Sequence, residues 1–174
     1  EKEDYAEAKE LLLRAVGEYP HNLGEGKLES GQENNLYYLL GLVQEKLGEA
    51  KDAFESLTRA CCGESEPVGM MYYNDQPPEM IYYQGLAYRM LGEEEQAVRR
   101  FQKLVDYGRE HIRDDVKIDY FAVSLPDLLI FEENLNERNR KHCLFMMSLG
   151  LKGLGRIDEA EKCAEELLAM DNAH

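Results

Sequence analysis

Long apolar runs are missing from this sequence. No stretch approaches the ~20 apolar residues a helix needs to cross a bilayer, and no signal peptide is visible, so a membrane partner is not expected. Positive charge is scarce as well. Lys and Arg number 20 against 35 Asp and Glu, which leaves a net charge of -15. A surface of that sign repels phosphate backbones and argues against nucleic-acid partners. The acidic residues are spread along the chain rather than gathered in one tail, the pattern of a solvated helical surface.

Tryptophan is absent and cysteine is sparse. None of Cys61, Cys62, Cys143 and Cys163 lies in a C-x-x-C pair. On a helix Cys61 and Cys62 point ~100° apart, poorly placed to bridge each other. The four read as small buried apolar residues, which favours a reducing compartment, and the expected location is the cytoplasm. His21, His111, His142 and His174 are scattered without ligand spacing, so no metal is expected. No nucleophile–base pair, metal motif or cofactor fingerprint is present, and the expectation is no catalytic residue and no cofactor.

What is present is a repeat. Leu47-Gly48, Leu91-Gly92 and Leu154-Gly155 are each followed, five residues after the Gly, by Ala53, Ala97 and Ala160. Before the first pair, Leu36, Leu40, Val43 and Leu47 mark one helix face. Gly48 stops that helix in a left-handed C-cap. Ala50, Ala53, Phe54, Leu57 and Ala60 then restart the same periodicity. Two helices joined by so short a turn must lie antiparallel. Small residues fall where they should touch: Gly41 with Ala53, Gly85 with Ala97 and Ser148 with Ala160, each pair 12 apart. A missing side chain lets helix axes approach toward the short end of the ~8–10 Å range.

These residues resemble the tetratricopeptide repeat, a helix–turn–helix unit of about 34 residues. Tyr37, Leu40, Gly41, Ala53, Leu57 and Ala60 fit one copy. Ile81, Gly85, Tyr88, Ala97, Phe101 and Leu104 fit the next. Leu144, Met147, Ser148, Ala160, Ala164 and Leu167 fit the last more loosely, and Ala8, Leu12, Ala15 and Pro20 fit the second half of a first copy. The family's first aromatic position has no Trp here, and one closing proline survives. The resemblance implies an all-α fold, an α-solenoid of stacked antiparallel hairpins with about three and a half repeats. The expected divisions are a second helix of a truncated repeat at 1–20, hairpins at 33–62, 79–111 and 137–171, and insertions at 21–32, 63–78 and 112–136. Because the chain opens inside a repeat, it reads as a piece of a longer protein, with the apolar face of Tyr5, Ala8, Leu12 and Val16 lacking its natural cover.

The repeat spacing is longer than the family's: Ala8 to Ala53 is 45, Ala53 to Ala97 is 44 and Ala97 to Ala160 is 63. The surplus falls between one hairpin and the next, so the long connections should gather along one edge, where insertions often mark a binding face. Asn22-Leu23-Gly24-Glu25-Gly26 allows a tight turn but lacks the context of a phosphate loop. Met70 to Pro78 brings together Tyr72, Tyr73, Asn74, Asp75 and Gln76. One reading is a recognition loop, with tyrosine faces for stacking and polar side chains for hydrogen bonds. The other is that Met and Tyr plug the space between hairpins while Asp75 or Gln76 caps the next helix. The third insertion holds Asp119, Tyr120 and Phe121, then Pro126, which can open a short extra helix. Asp114, Asp115 and Asp119 lack the Gly and final Glu of a calcium loop. The strings beginning at Asn22, Tyr72 and Asp119 also resemble the C-terminal tetratricopeptide region of large bacterial proteins that carry an uncharacterised β-rich domain upstream, suspected of carbohydrate-related activity.

In the tetratricopeptide fold the first helix of each hairpin lines the concave side. That register places Asn35, Tyr38, Leu42 and Glu45 there, then Tyr82, Tyr83, Leu86 and Arg89, then His142, Phe145, Leu149 and Lys152. Such a surface can hold an extended peptide or a partner helix. Alternatively, Tyr82, Tyr83 and Phe145 are covered by the third insertion. The leading expectation is a non-catalytic protein–protein or interdomain module that binds a protein or peptide segment, a neighbouring domain of its own chain or another copy of itself. The alternative is the helical part of a carbohydrate-active protein. In that reading Asp75, Asp119 or Asp127 would act as acid and base, and Tyr72, Tyr73 and Tyr120 would stack on sugar rings.

Overall fold

The computed structural model describes residues 4–17, 32–69, 75–117 and 134–171. Among these there are seven helices and no strand: α1 (Tyr5–Gly17), α2 (Asn34–Lys46), α3 (Ala50–Ala60), α4 (Pro78–Met90), α5 (Glu94–His111), α6 (Leu135–Gly153) and α7 (Ile157–Met170). The all-α expectation holds. No described helix is long and apolar enough to cross a membrane.

The three hairpin turns are the same object. Gly48, Gly92 and Gly155 take φ of 79°, 80° and 74°, values only glycine adopts without steric cost. Each turn closes with two hydrogen bonds. Gly48 N–H donates to Glu45 O and Glu49 N–H to Gln44 O. Gly92 and Glu93 donate to Arg89 and Tyr88, and Gly155 and Arg156 to Lys152 and Leu151. This is the Schellman pattern, which satisfies carbonyls a helix end leaves unpaired. The N–H groups of Ala53, Ala97 and Ala160 then donate to Glu49, Glu93 and Arg156 and open the second helix. All three alanines are buried.

The chain forms two compact units, Glu1–Ser65 with Glu79–Arg100, and Glu66–Pro78 with Phe101–His174. In the first, α2 packs on α3 and α1 on α2. A Cβ on Gly41 would stand 2.7 Å from Leu57 Cγ and 3.3 Å from Ala53 O, so the expected small-residue contact is there. Leu57, Ala60 and Cys61 share a core cluster with Ala87 of α4, which stacks the second helix of one hairpin on the first helix of the next.

In the second unit, α6 packs on α7 around Leu144, Met147, Leu151, Ala160 and Leu167. The close approach is between α5 and α6. A Cβ on Gly108 would stand 2.7 Å from Cys143 O, and one on Gly150 would stand 2.6 Å from Phe101 O. Ser148 is half-buried and turns its hydroxyl to its own helix, donating to Phe145 O at 2.7 Å. Gly150 and Gly153, both on α6, also make tight contacts, and these face α5.

Two expectations are corrected. Phe54 is 61% exposed, so α3 buries a narrower stripe than its apolar pattern suggested, and Ala50 is exposed with it. Cys62 is exposed, while Cys61 and Cys143 are buried and Cys163 is intermediate. Cys62 stands just past the end of α3, where the chain leaves the hairpin. Of the face expected to lack cover on α1, Tyr5, Ala8, Leu12 and Val16 are half-buried, and Leu11 and Leu13 are 55% and 44% exposed.

Candidate functional site

Helix spacing puts residues three, four and seven apart on one stripe. On α2, Asn35, Tyr38 and Leu42 are half-buried and Glu45 is exposed. On α4, Tyr82, Tyr83 and Leu86 are half-buried and Arg89 is exposed. On α6, in the other unit, His142, Phe145 and Leu149 are half-buried and Lys152 is exposed. The same gradient, from half-covered rings to an exposed charge, is written on all three first helices.

In the first unit the stripes of α2 and α4 meet through their rings. Tyr38 and Tyr83 lie 5.5 Å apart between centroids with planes at 46°. Tyr82 and Tyr83 lie 5.9 Å apart, edge to face at 68°. Such pairs are worth about 0.5–1.5 kcal/mol beyond the area they bury. Burial pushes the Tyr38 phenol upward, with Tyr83 and the Glu45 carboxylate adding to it. Burial does the same to Tyr82, with Tyr38 and Tyr83 adding and Arg89 opposing. The phenols therefore stay neutral and keep both a donor and an acceptor.

The other charged and polar members are held by the protein itself. Arg89 forks onto Glu94, with Nε 2.9 Å from Oε2 and Nη2 2.7 Å from Oε1. That contact lowers the Glu94 carboxyl and raises the guanidinium. Asn35 accepts the Leu36 N–H at 2.9 Å.

Of the remaining expected site residues, His142 lies in the second unit, its Nε2 2.7 Å from Val68 O, so the ring anchors a piece of the second insertion. Phe145 packs against the α6–α7 core cluster. Asp75 and Gln76 are half-buried in the same unit, and the Asp75 carboxylate contributes to raising the Tyr107 phenol, behind burial, Cys143 and Asp114. Tyr72, Tyr73, Asn74, Asp119, Tyr120 and Asp127 lie outside the described residues. Of the expected set, then, Tyr38 and Tyr82 are brought together through Tyr83.

Sequence reasoning missed the buried amides. Asn34, 3% exposed, donates through Nδ2 to Ala60 O at 2.8 Å and Cys62 O at 2.7 Å. Gln84, fully buried, donates to Cys62 O and Glu64 O and accepts from Arg100 Nε at 3.0 Å. In the second unit Asn139 donates to His111 O at 2.7 Å. First-helix amides take up carbonyls left unpaired where α3 and α5 end. The only hint in the sequence was an amide in the opening turns of α2 and α6. A cleft of 350 Å³ also opens between α1 and the α2–α3 hairpin, with Lys9, Tyr37, Gln44, Ser56 and Arg59 in its wall. Its wall is tied internally: Ser56 donates to Gln44 at 2.7 Å and Lys9 pairs with Glu49 at 2.6 Å. Among the described residues no group of three or more His, Cys, Asp or Glu could hold a metal ion.

Residues 79–107, from the start of α4 into α5, match the family model described as tetratricopeptide repeat. The chain therefore carries a tetratricopeptide repeat at the hairpin that supplies Tyr82, Tyr83 and Arg89. No solved structure matches the chain.

Proposed function

We propose that this chain, which carries a tetratricopeptide repeat, is a non-catalytic interaction module that takes a protein segment on the tyrosine face of its first helices. The observation that carries the reading is the cluster of Tyr38, Tyr82 and Tyr83. Three half-buried rings from two helices present hydroxyls and apolar faces together. Tyrosine offers large contact area at little entropic cost, which is why it concentrates in recognition surfaces. Repeats of this family generally bind partners rather than catalyse, which supports the non-catalytic reading.

The partner class is a protein or peptide segment, whether from another protein, a neighbouring domain of the same polypeptide or a second copy. A net charge of -15 weighs against nucleic acid. Four unbridged cysteines support a reducing setting such as the cytoplasm. The test is photo-crosslinking from position 83 in cells. Adducts with a protein from position 83, absent when the crosslinker is moved to the α7 position 161, support the reading. Equal labelling from both positions would contradict it.

A further inference from the structure

The tyrosine face has a charge preference that its geometry makes specific. Glu45 ends the α2 stripe, exposed, and its carboxylate acts on the Tyr38 phenol. Glu79 opens the α4 stripe, one turn before Tyr82 and Tyr83. The cation of that stripe, Arg89, is forked onto Glu94. Lys46 lies next to Glu45 but ~100° around the helix, off the stripe. The face therefore presents aromatic rings between carboxylates.

The same unit already shows what its tyrosines accept. Arg59 lies over the Tyr37 ring at 5.5 Å and donates to its hydroxyl at 3.3 Å. Arg100 lies over the Tyr88 ring at 5.2 Å. Tyr38 and Tyr83 instead meet each other at a tilt of 46°. We infer that the face selects partner segments carrying arginine, with a guanidinium laid against Tyr38 and Tyr83 and paired with Glu45. The inference rests on the reading of this face as the binding surface and adds the partner's chemistry. Arginine is favoured over lysine because its guanidinium is planar, weakly hydrated and able to stack on a ring while donating in its plane.

The test is a ¹⁵N-¹H titration of the 174-residue chain with four acetylated decapeptides in a glycine–serine background. They carry two arginines, two lysines, two glutamines or two leucines. The arginine peptide should shift the amides of Tyr38, Glu45 and Tyr83, and bind about two- to fivefold more tightly than the lysine peptide. Glu45→Gln should weaken the arginine peptide up to about fivefold, while Glu161→Gln on α7 should leave it unchanged. Equal affinity for arginine and glutamine peptides would overturn the inference. So would equal effects of Glu45→Gln and Glu161→Gln, which would mean general attraction to an acidic surface. If the leucine peptide alone perturbs the tyrosines, the arginine preference falls and the binding face stands. If no peptide perturbs them, both fall.

Discussion

Gly41→Ala is expected to destabilise the first unit although alanine is the better helix former. In an exposed helix interior the exchange gains about 0.5–1 kcal/mol, mostly from backbone entropy. At Gly41 the new methyl would stand 2.7 Å from Leu57 Cγ, 2.9 Å from Leu57 Cδ2 and 3.3 Å from Ala53 O. Leu57 is itself 5% exposed and part of a core cluster, so it cannot swing away, and the backbone oxygen of Ala53 cannot yield without moving α3. Overpacking of this kind costs about 1–3 kcal/mol. The steric term exceeds the propensity gain, and the net is a loss of about 1 kcal/mol, or ~2–4 °C in Tm for a chain of this size. Urea unfolding followed by circular dichroism measures it. Gly17→Ala is the control, since nothing lies within 4 Å of a Cβ there; it should be neutral or gain up to ~1 kcal/mol. Because the clashing atoms belong to Leu57, Gly41→Ala and Leu57→Ala should be strongly non-additive, the double variant being more stable than the sum of the singles predicts. Stabilisation by Gly41→Ala, or simple additivity with Leu57→Ala, would refute the close approach of α2 and α3.

Three further outcomes are expected. Asn34→Ala leaves the Ala60 and Cys62 carbonyls without their amide and should cost ~2 kcal/mol in urea unfolding, while Asn35→Ala, whose side chain serves only its neighbour's N–H, should cost well under half of that. In the folded protein a thiol reagent should modify Cys62 first and Cys163 more slowly, and reach Cys61 and Cys143 only as fast as the protein opens. Burial pushes the Cys61 thiol up to about 12, with Glu93 adding and Arg100 opposing, and the Cys143 thiol up to about 11, with Asp114 adding. These raised values mean that the neutral thiols favour the folded state fully below the ordinary thiol range. Stability should then fall as pH rises from about 9 toward 11, and Cys143→Ala should flatten that slope when stability is measured across the window.

The hairpin turns were legible because their cause is local. A Leu-Gly pair with an alanine five residues on specifies one left-handed residue, one pair of closing hydrogen bonds and one buried alanine, and each recurs at the turns of Gly48, Gly92 and Gly155. The stripe carrying Tyr38 and Tyr82 followed from the register that the tetratricopeptide resemblance implies, and both rings are half-buried beside Tyr83. What escaped depends on neighbours distant in sequence. Phe54 has helical spacing from Leu57 and Ala50, yet points outward because α3 is flanked by helices on a narrower arc than its apolar residues span. Asn34, Gln84 and Asn139 look like ordinary solvated positions until the carbonyls at the ends of α3 and α5 arrive beside them. Gly108, Gly150 and Gly153 have no common spacing, because their contact is between helices of successive hairpins rather than within one. Part of the expected site, at 72–74 and 119–120, lies outside the described residues.

The most direct test of the account compares two surfaces of the same protein. Tyr38→Ala with Tyr83→Ala removes two of the three clustered rings from the first helices, and Phe54→Ser removes the one aromatic ring of α3, which is exposed. Affinity for a crosslinked partner, measured by calorimetry on both variants and checked for intact helicity, should fall at least tenfold for the tyrosine pair and stay within twofold for Phe54→Ser, on the order of what losing two aromatic anchors costs at an interface. Unchanged affinity in the tyrosine variant, with loss in Phe54→Ser, would place binding on the second helices and contradict the account.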